Sequence, residues 1–186
     1  MIKSLEQFFE EARGLLKRAS VDKRHPMRFC ILASQRTTMP SQRYVVLRKI
    51  DEEDRLVLFT AGRSSKALDL AENPNASALF YHPGQRLQVR VEGEVSLHRQ
   101  DEVSQHYWPM VQGEAWKAYG SELAPGTVIK APEDAYQWSE NLAKSQFIVM
   151  KLAVTAIEVL QLDGLTHKRA SFKKLDETWA GQWLVP

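Results

Sequence analysis

The chain has 186 residues, with 25 Lys and Arg against 23 Asp and Glu for a formal charge of +2. That balance excludes the concentrated positive charge of a dedicated nucleic-acid binder, and a single cysteine, Cys30, excludes an internal disulfide or a cysteine-rich metal site. One compact domain over 1–186 is expected at this length, and no stretch approaches the ~20 apolar residues that span a bilayer, so the chain reads as a reduced, cytoplasmic protein.

Residues 4–18 have the pattern of an amphipathic helix. Ser4 and Gln7 form a candidate capping box, and Leu5, Phe8, Phe9, Ala12, Leu15 and Leu16 share one face. His25-Pro26 marks a break. The segments 27–34, 43–50, 55–60, 76–82 and 86–98 read as strands, rich in β-branched and aromatic residues. The turns DEED (51–54) and HPGQ (82–85) separate two pairs of them. A short helix is expected over 64–74, with Leu68 and Ala71 on its apolar face and Pro74 just beyond.

The next part is a helical insertion near 100–145. One helix begins near Asp101 and meets Pro109, another stretch surrounds 115–119, and a third covers 132–145 with Pro132 in its first turn. Strands return over 147–162, 165–175 and 178–185, with Asp163-Gly164 as a hairpin signal. Consecutive short strands with tight turns predict a mainly β fold with flanking helices, closed as an antiparallel barrel or sandwich.

Three local patterns bear on chemistry. In FTAGRSSKA (59–67) a strand ends, two serines follow, and Lys66 sits in the first turn of a helix. Free helix N-terminal amides suit a phosphate. The same residues also fit a helix capped by Ser64 with Arg63 and Lys66 in solvent. In SQRYVVLRK (41–49), Arg43 and Arg48 could each grip an anion, but an odd spacing sends them to opposite faces of a regular strand. In RLQVRVEGEV (86–95), Gln88, Arg90 and Glu92 alternate with Leu87, Val89 and Val91, and Gly93 marks a bulge or a close approach. His25, His82 and His98 have no metal-ligand spacing. Cys30 reads as a buried small hydrophobe, and the five tryptophans as core or interface contacts.

Taken in order, Arg-x-Val-x-Leu-Arg (43–48), Phe-Thr-x-x-x-Ser-x-Lys-Ala (59–67), Asn-Pro (73–74) and Gln-Val-Arg-Val-Glu-Gly (88–93) resemble the pyridoxamine 5'-phosphate oxidase family. The resemblance covers 27–98 and returns at THKRASF (166–172) and WLVP (183–186). It implies a split β-barrel that binds flavin mononucleotide (FMN) at the interface of a homodimer. By the same resemblance Arg43 and Lys66 contact the flavin phosphate, and Ser65 replaces a phosphate-binding arginine. Arg48 lies near flavin and substrate, and Phe59 and Thr60 lie beside the flavin. Gln88 reaches across from the facing subunit, Ser121 matches a late hydroxyl contact, and Arg169 lies near the cofactor.

The departures concern the substrate. The family holds its phosphorylated substrate with a tyrosine, an arginine and a serine on the helix after the long strand. Here His106 and Met110 stand at the first two positions and no serine follows nearby. Leu165 replaces the first arginine of a terminal Arg-x-His-x-Arg, while His167 and Arg169 remain, and Leu160 replaces an aromatic residue. Lys168 and Arg99 are the candidates to compensate. The resemblance implies an FMN-dependent oxidoreductase with Arg48, His106 and His167 at the substrate and no obvious general base. The alternatives are a flavin- or haem-binding protein without turnover and a deazaflavin-dependent reductase.

Overall fold

A computed structural model of the chain describes residues 4–36 and 38–186. Helix α1 (Leu5–Val21) opens with the expected capping box: Ser4 Oγ accepts from the Gln7 amide, and the Gln7 side chain accepts from the Ser4 amide. Its buried face carries Phe8, Phe9, Ala12, Leu15 and Leu16. The described residues then form nine strands: β1 (Phe29–Gln35), β2 (Pro40–Val46), β3 (Lys49–Ile50), β4 (Leu56–Ala61), β5 (Asn75–His82), β6 (Leu87–His98), β7 (Phe147–Gln161), β8 (Lys168–Leu175) and β9 (Thr178–Leu184). Helix α2 (Ser65–Glu72) joins β4 to β5; α3 (Glu102–Tyr107), α4 (Lys117–Gly120) and α5 (Glu140–Gln146) lie between β6 and β7.

The strands pair antiparallel in the order β2-β1-β5-β6-β7-β4-β3, with β8 on β7 and β9 on β8. The fold is a split β-barrel. β7 bonds to β6 along its length, while its other edge is shared: 147–152 pair with β4 and 156–161 with β8. The register of β6 slips between Glu92 and Gly93, opposite the changeover. A Cβ at Gly93 would lie 1.9 Å from the Ala153 carbonyl oxygen, so the close approach requires glycine.

Alternate residues of the strands fill the barrel with Leu32, Leu58, Ala78, Phe80, Val89, Val91, Met150 and Val159, all fully buried, and α1 packs on the same core. A smaller apolar cluster lies between the other side of β4 and β7 and the helical insertion. It contains Val57, Tyr107, Tyr119, Ala143, Phe147 and Val149, with Phe59 and Trp108 against it. Arg28 is buried at the end of α1. It donates to the carbonyls of Ala19 and Ser20 at 3.1 and 2.7 Å and approaches that of Arg48 at 3.5 Å. A side chain thereby satisfies carbonyls at the α1 C-terminus.

Four elements differ from the sequence pattern. Residues 43–50 are two strands, because the Leu47 amide turns to Arg28 O and the Arg48 amide to Val57 O. The stretch 132–145 is a turn at Pro132–Ala135 followed by α5; its middle pairs instead with 120–122, through Ser139 N to Gly120 O and Glu122 N to Gln137 O. The α2 face that packs inward carries Ala67 and Leu70, whereas Leu68 and Ala71 are exposed. The Asp163-Gly164 turn sits inside a longer loop from 162 to 167, so β8 begins at Lys168.

Gly93→Ala should lower stability by about 1–3 kcal/mol, the usual cost of overpacking. Gly14→Ala, in the interior of α1 with open space around its Cβ, should raise it by about 0.5–1 kcal/mol. Urea unfolding of both variants checks the pair; an unperturbed Gly93→Ala would mean that β6 and β7 do not approach as described.

Candidate functional site

Strand parity sorts the candidate residues into three groups. The first lies at the rim of the barrel interior. Arg43 pairs in register with the buried Leu32 and therefore points inward. Its guanidinium donates to Ser34 Oγ and Ser41 Oγ, each at 2.6 Å, and meets Asp69 Oδ2 at 3.4 Å. Ser34 Oγ in turn donates to Asp69 Oδ2 at 2.9 Å. From the other side, Lys66 Nζ donates to Thr60 Oγ1 at 3.1 Å, and Thr60 shares a hydrogen bond with Ser64.

Arg43 and Lys66 are close enough to repel. Burial lowers the Lys66 pKa below the ordinary lysine value, and Arg43 lowers it further. Burial also lowers that of Arg43, which Asp69 opposes. Of these two partly buried cations, Arg43 meets a carboxylate, Asp69, and Lys66 meets a hydroxyl, Thr60. They stand beside the N-terminus of α2, where Ser64 caps by accepting from the Ala67 amide and the exposed Ser65 begins the first turn. The Ala67 amide is taken by Ser64, whereas those of Ser65 and Lys66 have no carbonyl one turn back. The set of two cations, hydroxyls and free amides fits a phosphate group.

The capping role of Ser64 therefore coexists with this cradle, but Arg63 and Lys66 are not solvent charges. The Arg63 guanidinium donates to the carbonyls of Ser121 and Glu122 and ties the helical insertion to the start of α2. Ser121 is held there by its backbone.

The second group lies on the opposite side of β4. Phe59 points into the smaller apolar cluster while Thr60 points into the barrel. Arg48 lies over the Phe59 ring, 5.4 Å from its centroid. It faces the Tyr119 hydroxyl, whose pKa burial raises and Arg48 pulls back. Arg48 Nε is buried without an acceptor. The pattern's expectation that Arg43 and Arg48 diverge is met, helped by the break at Leu47.

The third group is on the outer face of the sheet. Gln88 sits between Tyr81 of β5 and Leu160 of β7, and Leu160 pairs with Arg169 of β8. One step along, Arg90 pairs with Glu158, whose carboxylate also receives Arg169. Phe29, Tyr44 and Tyr81 on this face are 56%, 73% and 45% exposed.

The substrate candidates are more scattered. His106 is exposed and lines a hollow of about 460 Å³ with Asp51, Glu102, Tyr107 and Lys151. No hydrogen bond or ring contact joins it to Arg48 or His167 among the described residues. His167 Nδ1 accepts from the Asp163 amide in the 162–167 loop, where Leu165 is fully exposed. Lys168 is paired with Asp163 at 3.2 Å, and Arg99 donates to Ser145 O at 2.7 Å. Sequence reasoning missed Ser34, Ser41, Asp69, Tyr119 and Glu158. Only Ser34 and Ser41 had a signal, the strand alternation that puts them on the face of Arg43. Cys30 is buried, and its thiol is pushed up to about 12.

A split barrel with an inward-facing cationic cradle at a helix N-terminus defines the class. The family model for pyridoxamine 5'-phosphate oxidase matches residues 16–158. A pyridoxine/pyridoxamine 5'-phosphate oxidase from Cupriavidus pinatubonensis is 33% identical over 149 residues, covering 75% of this chain and 70% of the relative. The corresponding stretches span 66% and 60% of the relatives from Cupriavidus necator and Cupriavidus taiwanensis. The chain belongs to the pyridoxamine 5'-phosphate oxidase family. Solved structures share its fold, two of them over nearly the whole chain. One is a pyridoxamine 5'-phosphate oxidase-related, FMN-binding protein from Nostoc punctiforme, with a TM-score of 0.76, 22% identity and full coverage of both chains. The other is PhzG from Burkholderia lata, in complex with tetrahydrophenazine-1-carboxylic acid, with a TM-score of 0.75 and 18% identity over 96% of this chain and 92% of that one. No helix among the described residues is long and apolar enough to cross a membrane.

Asp69→Asn removes the carboxylate that meets Arg43 and accepts from Ser34. Unfolding should show a loss of about 1.5–3 kcal/mol, the scale of a charged hydrogen bond, and excess inorganic phosphate should return part of it. A variant as stable as its parent would mean that Asp69 does not hold the cradle.

Proposed function

We propose that this protein is an FMN-dependent oxidoreductase related to pyridoxamine 5'-phosphate oxidase, working as a homodimer on a different substrate. The carrying observation is the Arg43–Lys66 pair, two partly buried cations at a helix N-terminus, with Asp69 paired to Arg43 and Lys66 bonded to the Thr60 hydroxyl. A phosphate would supply the missing negative charge, with Arg43, Lys66, Ser65 and the first-turn amides as its holders. Arg48 offers a second point of attachment, because its buried Nε–H is a donor awaiting an acceptor. Bound FMN would supply a ring that accepts a hydride from the substrate carbon. The chain's part is to place that carbon, shield it from water and orient any anionic end of the substrate.

The homodimer reading rests on parity. Arg43 faces the barrel interior, whereas Gln88 and Arg169 lie on the outer face of the same sheet. Within one chain the sheet stands between them, so Gln88 and Arg169 are better placed for a neighbouring copy's flavin. Exposed Phe29, Tyr44 and Tyr81 give that face the apolar area a partner would cover. The spectrum of the purified protein tests the whole reading. It should be yellow, release FMN on denaturation and scatter light with the mass of a dimer. Arg43→Ala should weaken FMN binding by about 1.5–3 kcal/mol, while Arg63→Ala, outside the cradle, should weaken it less. A colourless protein that ignores added FMN in a fluorescence titration would sink the proposal, as would a monomer that keeps its flavin.

The substrate site is proposed to reject pyridoxamine 5'-phosphate. Met110 has no charge or donor, and Leu165 is an exposed loop tip. The two candidates to replace the lost arginines, Lys168 and Arg99, already have partners. Losing two guanidinium contacts costs roughly 3–6 kcal/mol, or about two to four decades in specificity. His167 and Arg169 suit a less polar substrate with one anionic end. Steady-state oxidation of pyridoxamine 5'-phosphate with peroxide detection decides this: a specificity constant like that of an ordinary family oxidase would show that the phosphate clamp has been rebuilt.

A further inference from the structure

We propose that Glu158 is a positioning residue that aims the Arg169 guanidinium at the cofactor. The inference rests on the FMN site proposed above and adds the residue that sets one of its contacts.

Glu158 lies on β7 with a side chain only 13% exposed, between Arg90 of β6 and Arg169 of β8. Both of its oxygens are 3.1 Å from Arg169 Nη2, and Oε2 is 3.2 Å from Arg90 Nη2. One carboxylate thus occupies a terminal nitrogen of each arginine. A guanidinium is a rigid plane, so fixing one Nη while the chain fixes the other end leaves little freedom to the Nε edge. That edge is where the unused capacity lies. Arg169 Nε is buried and has no acceptor.

A cluster built only to hold three strands together would leave no buried donor unmet. Here two arginines meet Glu158, and Arg90 Nε also lies 3.2 Å from Glu92 Oε1; the arginine whose Nε meets no carboxylate is Arg169, which shares a row with Gln88 and Leu160. The triad therefore reads as a half-built anion or carbonyl receptor. Glu158 supplies its orientation, and the ligand supplies the remaining acceptor. Without Glu158, Arg169 would be a mobile cation near its neighbour Arg90, pushed away from the pose that the ligand needs.

The test is a double-mutant cycle on FMN affinity, read by flavin fluorescence in the folded dimer, with circular dichroism to confirm each fold. Arg169→Ala and Glu158→Ala should each weaken FMN binding by about tenfold. The double variant should be no weaker than either single one, because Glu158 acts through Arg169. Glu158→Gln, which keeps the shape and one acceptor oxygen, should bind within about threefold of the parent. It also keeps the test alive if Glu158→Ala is poorly folded. Additive losses approaching a hundredfold in the double variant would overturn the inference. So would parental affinity in Glu158→Ala when Arg169→Ala is weakened, and that outcome leaves the flavin reading standing. A parent protein that does not bind FMN would overturn both.

Discussion

β7 has two edges and three partners, and the architecture follows from how it shares them. One edge is committed to β6. The other begins with β4, which brings in β3, and ends with β8, which brings in β9. A strand cannot bond two neighbours on one edge at the same point, so β4 and β8 must diverge. The register slip at Glu92/Gly93 lies opposite that divergence and lets the sheet bend there. The opening between β4 and β8 is what makes the barrel split rather than closed.

The same division assigns chemistry to faces. Interior positions at the rim carry the cationic cradle, the far side of β4 carries Arg48 and its aromatic neighbours, and the outer face of β6, β7 and β8 carries the arginine pair around Glu158. Each group holds a positive charge or a donor beyond what its own partners satisfy. Charge of one sign on several faces of a thin sheet is costly for an isolated chain. It becomes useful when one anionic ligand is gripped by two copies from different sides. The proposed dimer and the proposed cofactor are therefore one hypothesis about where this charge is neutralised.

Local physics was legible in the sequence where a short pattern decides the outcome. The Ser4–Gln7 capping box, the helix start at Ser64 and the close approach at Gly93 each depend on a few adjacent residues, and each is found. The divergence of Arg43 and Arg48 also follows from strand alternation alone. What the pattern did not give are partners set by tertiary contact. Asp69 looks like an ordinary helix-surface acid until β1 brings Ser34 against it. Glu158 looks like a polar strand position until two strands far apart in sequence supply its arginines. The stretch 132–145 has helical composition throughout, yet its middle pairs with 120–122 because that satisfies two exposed backbones at once. Propensity lost there to a non-local hydrogen bond.

The contact between α1 and β9 bears on how the chain reaches this structure. Phe8 stacks on Trp183 at 5.5 Å, and Phe9 meets Phe172 at 4.4 Å and Trp179 at 5.2 Å. These rings are separated by more of the chain than almost any other neighbours in the molecule. Closing so long a loop costs entropy that the ring contacts must offset. During synthesis the Phe8–Phe9 edge of α1 emerges early and finds its aromatic partners only once β8 and β9 have been made. For that interval a nascent chain displays an unpaired aromatic edge, the kind of surface on which chaperones and wrong partners compete.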